Sequence, residues 1–138
     1  MPSAINQPID LNGGYYVCKA SALKASANIP YGNVAMLVGG KIRAAVTGVS
    51  GSVLLGMSLQ NLLETTAADV TLPAPALFAR GVTVYLDAKS GDEPTAANIG
   101  GSVYLNTSSE VKATLASDDL ALTMVELRAD GKIGCRIP

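Results

Sequence analysis

The chain has 138 residues, which suits one domain with one core. Hydrophobic residues make up 49% and charged residues only 15%, against the roughly 25% usual for a soluble domain. The net charge is −1 with both signs interspersed, so neither a basic nucleic-acid arm nor a polybasic membrane anchor is expected. There is no His, which removes the commonest general base and metal ligand and leaves no way to build a Ser-His-Asp or Cys-His nucleophile.

Residues Met1–Gly14 read as an extended arm. Pro2 and Pro8 resist helix, Gly13-Gly14 breaks regular structure, and Ile5, Ile9 and Leu11 alternate with polar neighbours. A polar tail has no use for those aliphatic side chains, whereas an arm docking on a neighbouring subunit does. The segment lacks the basic region and apolar run of a signal peptide, so synthesis in a host cytoplasm is expected. The longest apolar stretches, such as Val34–Val38, are far too short to span a bilayer as a helix.

From Tyr15 the pattern is strand, turn, strand. Tyr15–Ala20 is rich in β-formers, Val34–Val38 is a short apolar strand, and Gly39-Gly40 is a hairpin signal leading into Lys41–Val49. Ser50-Gly51 turns the chain into Ser52–Leu59. Leu59, Leu62 and Leu63 have helical spacing, so Gln60–Ala68 is open to one or two helical turns, weakened by Thr65-Thr66. Val70–Leu72 reads as a strand ended by Pro73-Ala74-Pro75, because proline cannot donate to a ladder.

Val84-Tyr85-Leu86-Asp87 is echoed by Val103-Tyr104-Leu105-Asn106, with Ser90-Gly91-Asp92-Glu93-Pro94 as a strong turn between them. The echo reads as two similar strands and not as a repeat architecture. Val111–Leu115 is a further strand, Asp118-Asp119 turns into Leu120–Arg128, and Ala129-Asp130-Gly131 is a hairpin turn before Lys132–Ile137. Strands at roughly 8–12-residue spacing with Gly, Pro, Asn or Asp between them predict an all-β fold: a jelly-roll-like β-sandwich or a barrel of short antiparallel strands carrying the N-terminal arm.

Candidate chemistry is sparse. Asp92-Glu93 and Asp118-Asp119 are the only acidic pairs; both lie beside turn signals, where Asp serves its own backbone. Gly48–Gly56 has a glycine-rich look but no closing Lys and Ser/Thr, so a hairpin fits better than a phosphate loop. Asn106-Thr107-Ser108 matches a glycosylation pattern that means nothing without a secretory route. Cys18 and Cys135 read as two free thiols in a reducing compartment, with a clasp between first and last strands as the alternative. No catalytic residue, cofactor or metal is expected. Of the five tyrosines, the Tyr15-Tyr16 pair beside the arm is the best interface candidate, so Ile5, Ile9, Leu11, Tyr15 and Tyr16 make up the expected contact set.

The second half resembles the small head decoration, or cement, proteins of tailed bacteriophages. In that family a glycine and small residues precede Val-Tyr, an apolar residue and Asp, and then a turn. Here this stands as Gly81-Val82-Thr83-Val84-Tyr85-Leu86-Asp87. The chain then ends in a Val- and Leu-rich hairpin, Met124-Val125-Glu126-Leu127-Arg128 and Lys132–Ile137. The resemblance implies a jelly-roll-like domain on the outside of a virion shell, bound to the major capsid protein and paired with itself across two-fold positions. It implies no catalytic residues. The same composition also suits a self-assembling tail or fibre subunit. It suits a carbohydrate-binding sandwich less well, since Trp is absent and Phe78 is the one Phe.

Overall fold

The structure, a computed structural model, describes residues 16–63 and 68–138. The strands are β1 (Tyr16–Leu23), β2 (Asn28–Ile29), β3 (Val34–Val38), β4 (Lys41–Ala44), β5 (Ser52–Ser58), β6 (Leu62–Leu63), β7 (Val70–Arg80), β8 (Thr83–Ala88), β9 (Ser102–Thr107), β10 (Glu110–Lys112), β11 (Ala121–Leu127) and β12 (Ile133–Arg136). One 3-10 turn, Ala96–Asn98, is the sole helical element among the described residues. The fold is all-β, as the turn spacing requires.

The strands close into two barrels of five, β1-β4-β3-β5-β7 and β8-β10-β9-β11-β12, with β2 and β6 paired separately. The barrels share one connectivity. In each, the first strand lies antiparallel to the last and parallel to the third, the second pairs with the third and fourth, and the fourth pairs with the last. The expectation of purely antiparallel strands therefore needs amending at two places, β1 beside β4 and β8 beside β10. The true repeat is the whole barrel. The Val-Tyr-Leu echo instead falls on β8 and β9 of a single barrel, which do not pair. It records a shared alternation, with Val84, Leu86, Val103 and Leu105 buried inside.

The two barrels form one body because β3 is buried on both faces. Ala35 and Leu37 pack with Leu23, Ile29, Ile42 and Phe78 in the first core. Val34 and Met36 join Val84, Leu86, Leu105 and Met124 in the second. That double burial explains why Val34–Val38 is apolar without alternation. Backbone bonds add to the junction: Val34 N donates to Ser108 O (2.8 Å) and Thr47 N to Asn106 O (3.0 Å). Asn106 and Ser108 are thus committed to the inter-barrel seam.

A buried polar lock spans the same seam. Lys112 Nζ lies 2.9 Å from Asp119 Oδ2 and donates to Thr47 Oγ1 at 2.8 Å, and the Thr47 hydroxyl donates to Asp119 Oδ1 at 2.5 Å. Gly48 N and Ala116 N also donate to the Asp119 carboxylate. The Asp119 side chain is fully buried, and no buried side-chain N or O among the described residues lacks a partner.

Several local expectations change for physical reasons. Pro73 and Pro75 do not end a strand: β7 runs through them, because the register moves from Ala20↔Ala76 to Ala22↔Thr71. The intervening residues of β7 bulge off the ladder, where a missing N–H costs nothing. The expected hairpin across Gly48–Gly56 is absent, since β4 and β5 flank β3 and do not pair. The strand expected over Lys41–Val49 stops at Ala44, beyond which the chain crosses to the second barrel and Val46 bridges Thr107. In the ambiguous stretch, Leu62–Leu63 is a short strand on β2, while residues 64–67 lie outside the described residues.

Candidate interaction surface

The expected contact set is only partly within view. Ile5, Ile9, Leu11 and Tyr15 lie outside the described residues, as does the whole of the expected arm. Tyr16 opens β1 opposite Arg80 and is 45% exposed, with the Arg80 guanidinium 5.7 Å from its ring centroid. Arg80 is itself held by the carbonyls of Pro138 and Leu54, so the ring rests on a fixed cation.

The acidic pairs lie at turns, as expected, but their side chains reach further than their own backbone. Asp92 accepts from both the hydroxyl and the N–H of Thr114, tying two loops together, and Glu93 accepts from Gly91 N. Asp118 takes a left-handed backbone (φ 63), and Asp119 belongs to the lock. The Gly48 N–H, which a phosphate loop would turn toward its ligand, is bound by Asp119. Among the described residues no group of three or more Cys, Asp or Glu is placed to hold a metal ion, and no helix is long and apolar enough to cross a membrane.

The cysteines are free and sit in different barrels. Cys18 is half-buried on β1 opposite Phe78; Cys135 is buried on β12, where desolvation pushes its thiol up to about 12. The clasp alternative is therefore not what forms.

A bonded, exposed cluster lies on the outer face of the second barrel. Tyr85, also 45% exposed, lies beside Gly134 of β12, where an added Cβ would come within 3.0 Å of the ring. The glycine leaves room for the ring to reach Glu126 on the next strand, whose Oε1 accepts from the Tyr85 hydroxyl at 2.9 Å. The Arg128 guanidinium, just past the end of β11, caps the ring at 4.9 Å. Tyr and Arg side chains held in place are what the centres of protein interfaces favour. The sequence marks Tyr85 only as part of the Val-Tyr-Leu strand; its hydrogen-bond partner Glu126 stands 41 positions away. The Tyr85 phenol is raised above its ordinary value by its hydrogen bond to Glu126 and by that residue's charge. Glu126→Gln is therefore expected to bring phenolate formation to lower pH in a difference titration against the parent chain; an unchanged titration would show that the pair does not form.

No protein-family model, no curated protein and no solved structure matches this chain.

Proposed function

We propose that the chain is a structural virion protein of the decoration class. It binds the outer surface of an icosahedral phage capsid and stabilises the shell by clamping neighbouring major capsid protein subunits, and it acts as a homo-dimer or other homo-oligomer there. The observation that carries this reading is the contrast between body and surface. The body is rigid and doubly closed, with its acidic pairs spent on turns and on the seam. The surface offers a bonded Tyr85 beside exposed aliphatic side chains. A clamp across subunit seams needs a stiff β body, few free edges and many contacts repeated by symmetry, and it needs no titrating site. The low charge agrees, because a surface poor in charge is one that an assembly covers.

Co-sedimentation with capsid shells from the same source, using the full chain and a chain lacking residues 1–14, tests the reading. The expected result is saturable binding at a fixed ratio to the shell protein, weakened by the deletion. No binding at any salt concentration would overturn it, and rings or tubes formed without shells would favour a tail or fibre subunit.

A further inference from the structure

The shared connectivity lets the two barrels be matched residue by residue. Ile42 faces Leu23 and Leu37 as Val111 faces Ala88 and Leu105. One position on, Arg43 faces Met36 as Lys112 faces Tyr104. Met36 in turn faces Leu54, and Tyr104 faces Ala121. Counting back two positions from Leu54 and Ala121 puts Ser52 where the second barrel has Asp119. The residues just before these, Gly51 (φ 74) and Asp118 (φ 63), share a left-handed backbone. The turns after β1 and β8 match as well. Lys24 N donates to Ile42 O and Lys89 N to Val111 O, and the N–H groups of Ala27 and Asp92 close the turns on Lys24 O and Lys89 O.

The first barrel keeps the cation of this arrangement and lacks its acids. Lys112 is neutralised by Asp119, and Asp92 brings a second carboxylate to Thr114. The matching residues are Arg43 with Ser52, and Ala27 with Ala45. Among the described residues no hydrogen bond or ion pair reaches the partly exposed Arg43 guanidinium. It lines an open pocket of about 210 Å³ with Lys24, Ser26, Asn28 and Ala44, and no acidic side chain lines that pocket. Lys24 is loosely engaged. It stands 3.8 Å from Asp69, whose carboxylate also takes Lys41 and the Ala25 N–H.

We propose that this pocket binds a carboxylate ligand, held by Arg43 through paired N–H···O bonds with Lys24 as the second charge. A guanidinium presents its donors in a fork that matches two carboxylate oxygens, and such charge-assisted bonds are the strong ones. The second barrel uses the same chemistry at the matching cation, from within the chain. Two cations suit a dicarboxylate best. Its source is either a free small acid or an acidic side chain of the shell protein. The site stands apart from the shell reading, since the pocket and the orphan guanidinium do not depend on it.

Glutarate titrated into the full chain, followed by the backbone amide NMR signals of residues 24–28, tests the site. The expected result is a saturable shift that sodium chloride at equal ionic strength does not reproduce. Arg43→Gln is expected to weaken binding at least about tenfold. Ser52→Asp, which restores the missing carboxylate within the chain, is expected to weaken it as much with Arg43 retained. No saturable shift, the same shift with chloride, or unchanged affinity in either variant would overturn the inference. Glutarate that releases the chain from capsid shells would assign the natural carboxylate to the shell protein. Glutarate binding that leaves shell attachment unchanged would assign it to a free acid and leave the proposed function standing.

Discussion

Asp119→Ala is expected to destabilise the fold by about 3–5 kcal/mol, because it leaves the Lys112 ammonium buried at the barrel junction without its counter-charge. Thr47 and the N–H groups of Gly48 and Ala116 lose their acceptor in the same step. The double change Lys112→Met/Asp119→Leu removes both charges and is expected to recover most of that loss, since the cost lies mainly in the uncompensated charge. Urea unfolding of the three chains checks this; equal destabilisation in the single and double variants would mean that packing, and not charge, governs the site.

The same carboxylate sets an acid limit. Burial pushes the Asp119 carboxyl up, but the hydrogen bonds from Thr47, Lys112, Ala116 and Gly48 outweigh it and hold the group below its ordinary value. The unfolded chain therefore binds this proton at a higher pH than the folded one. The contribution is fully present above about pH 4, the ordinary Asp range, and is lost as pH falls through the depressed folded value. In Asp119→Asn the loss of stability across that acid window is expected to be shallower than in the parent.

Phe78→Ala is expected to cost about 3–5 kcal/mol, lowering the melting temperature by on the order of 10 °C. Phe78 is fully buried and is the largest side chain in the first core, lying between Cys18 of β1 and Ser58 of β5. The shape of the transition matters as much as its midpoint. Since β3 lends Ala35 to one core and Val34 and Met36 to the other, a defect at Phe78 is expected to lower a single transition for the whole chain. Two calorimetric transitions, with only the first displaced, would show that the barrels unfold independently.

The sequence by itself determined the class of fold and most of its punctuation. Alternation over Val82–Asp87 and Ser102–Asn106 marked strands with one buried face, and the turn at Gly39-Gly40 stands where expected. These features are legible because each depends on residues adjacent in the chain: side chains alternate with period two, and glycine supplies the positive φ that a tight turn needs. The turn at Asp118, with its left-handed backbone, was legible for the same reason, whereas the tie from Asp92 to Thr114 was not.

The tertiary structure alone decided the rest. That the strands close twice, in the same order, depends on pairings such as Tyr16↔Arg80 and Gly134↔Tyr85, and one alternating strand carries no mark of which other it will pair with. The two-sided burial of β3 was visible as an unbroken apolar run, but a run of five fits a core strand of any kind. The prolines of β7 misled because a bulge that takes them off the ladder is a property of the register between two strands. Thr47 reaches Lys112 and Asp119 from 65 and 72 positions away, and Tyr85 reaches Glu126 from 41. What brings such groups together is closure of the barrels around their aliphatic cores, and that burial is non-directional and rewards apolar area wherever it comes from in the chain.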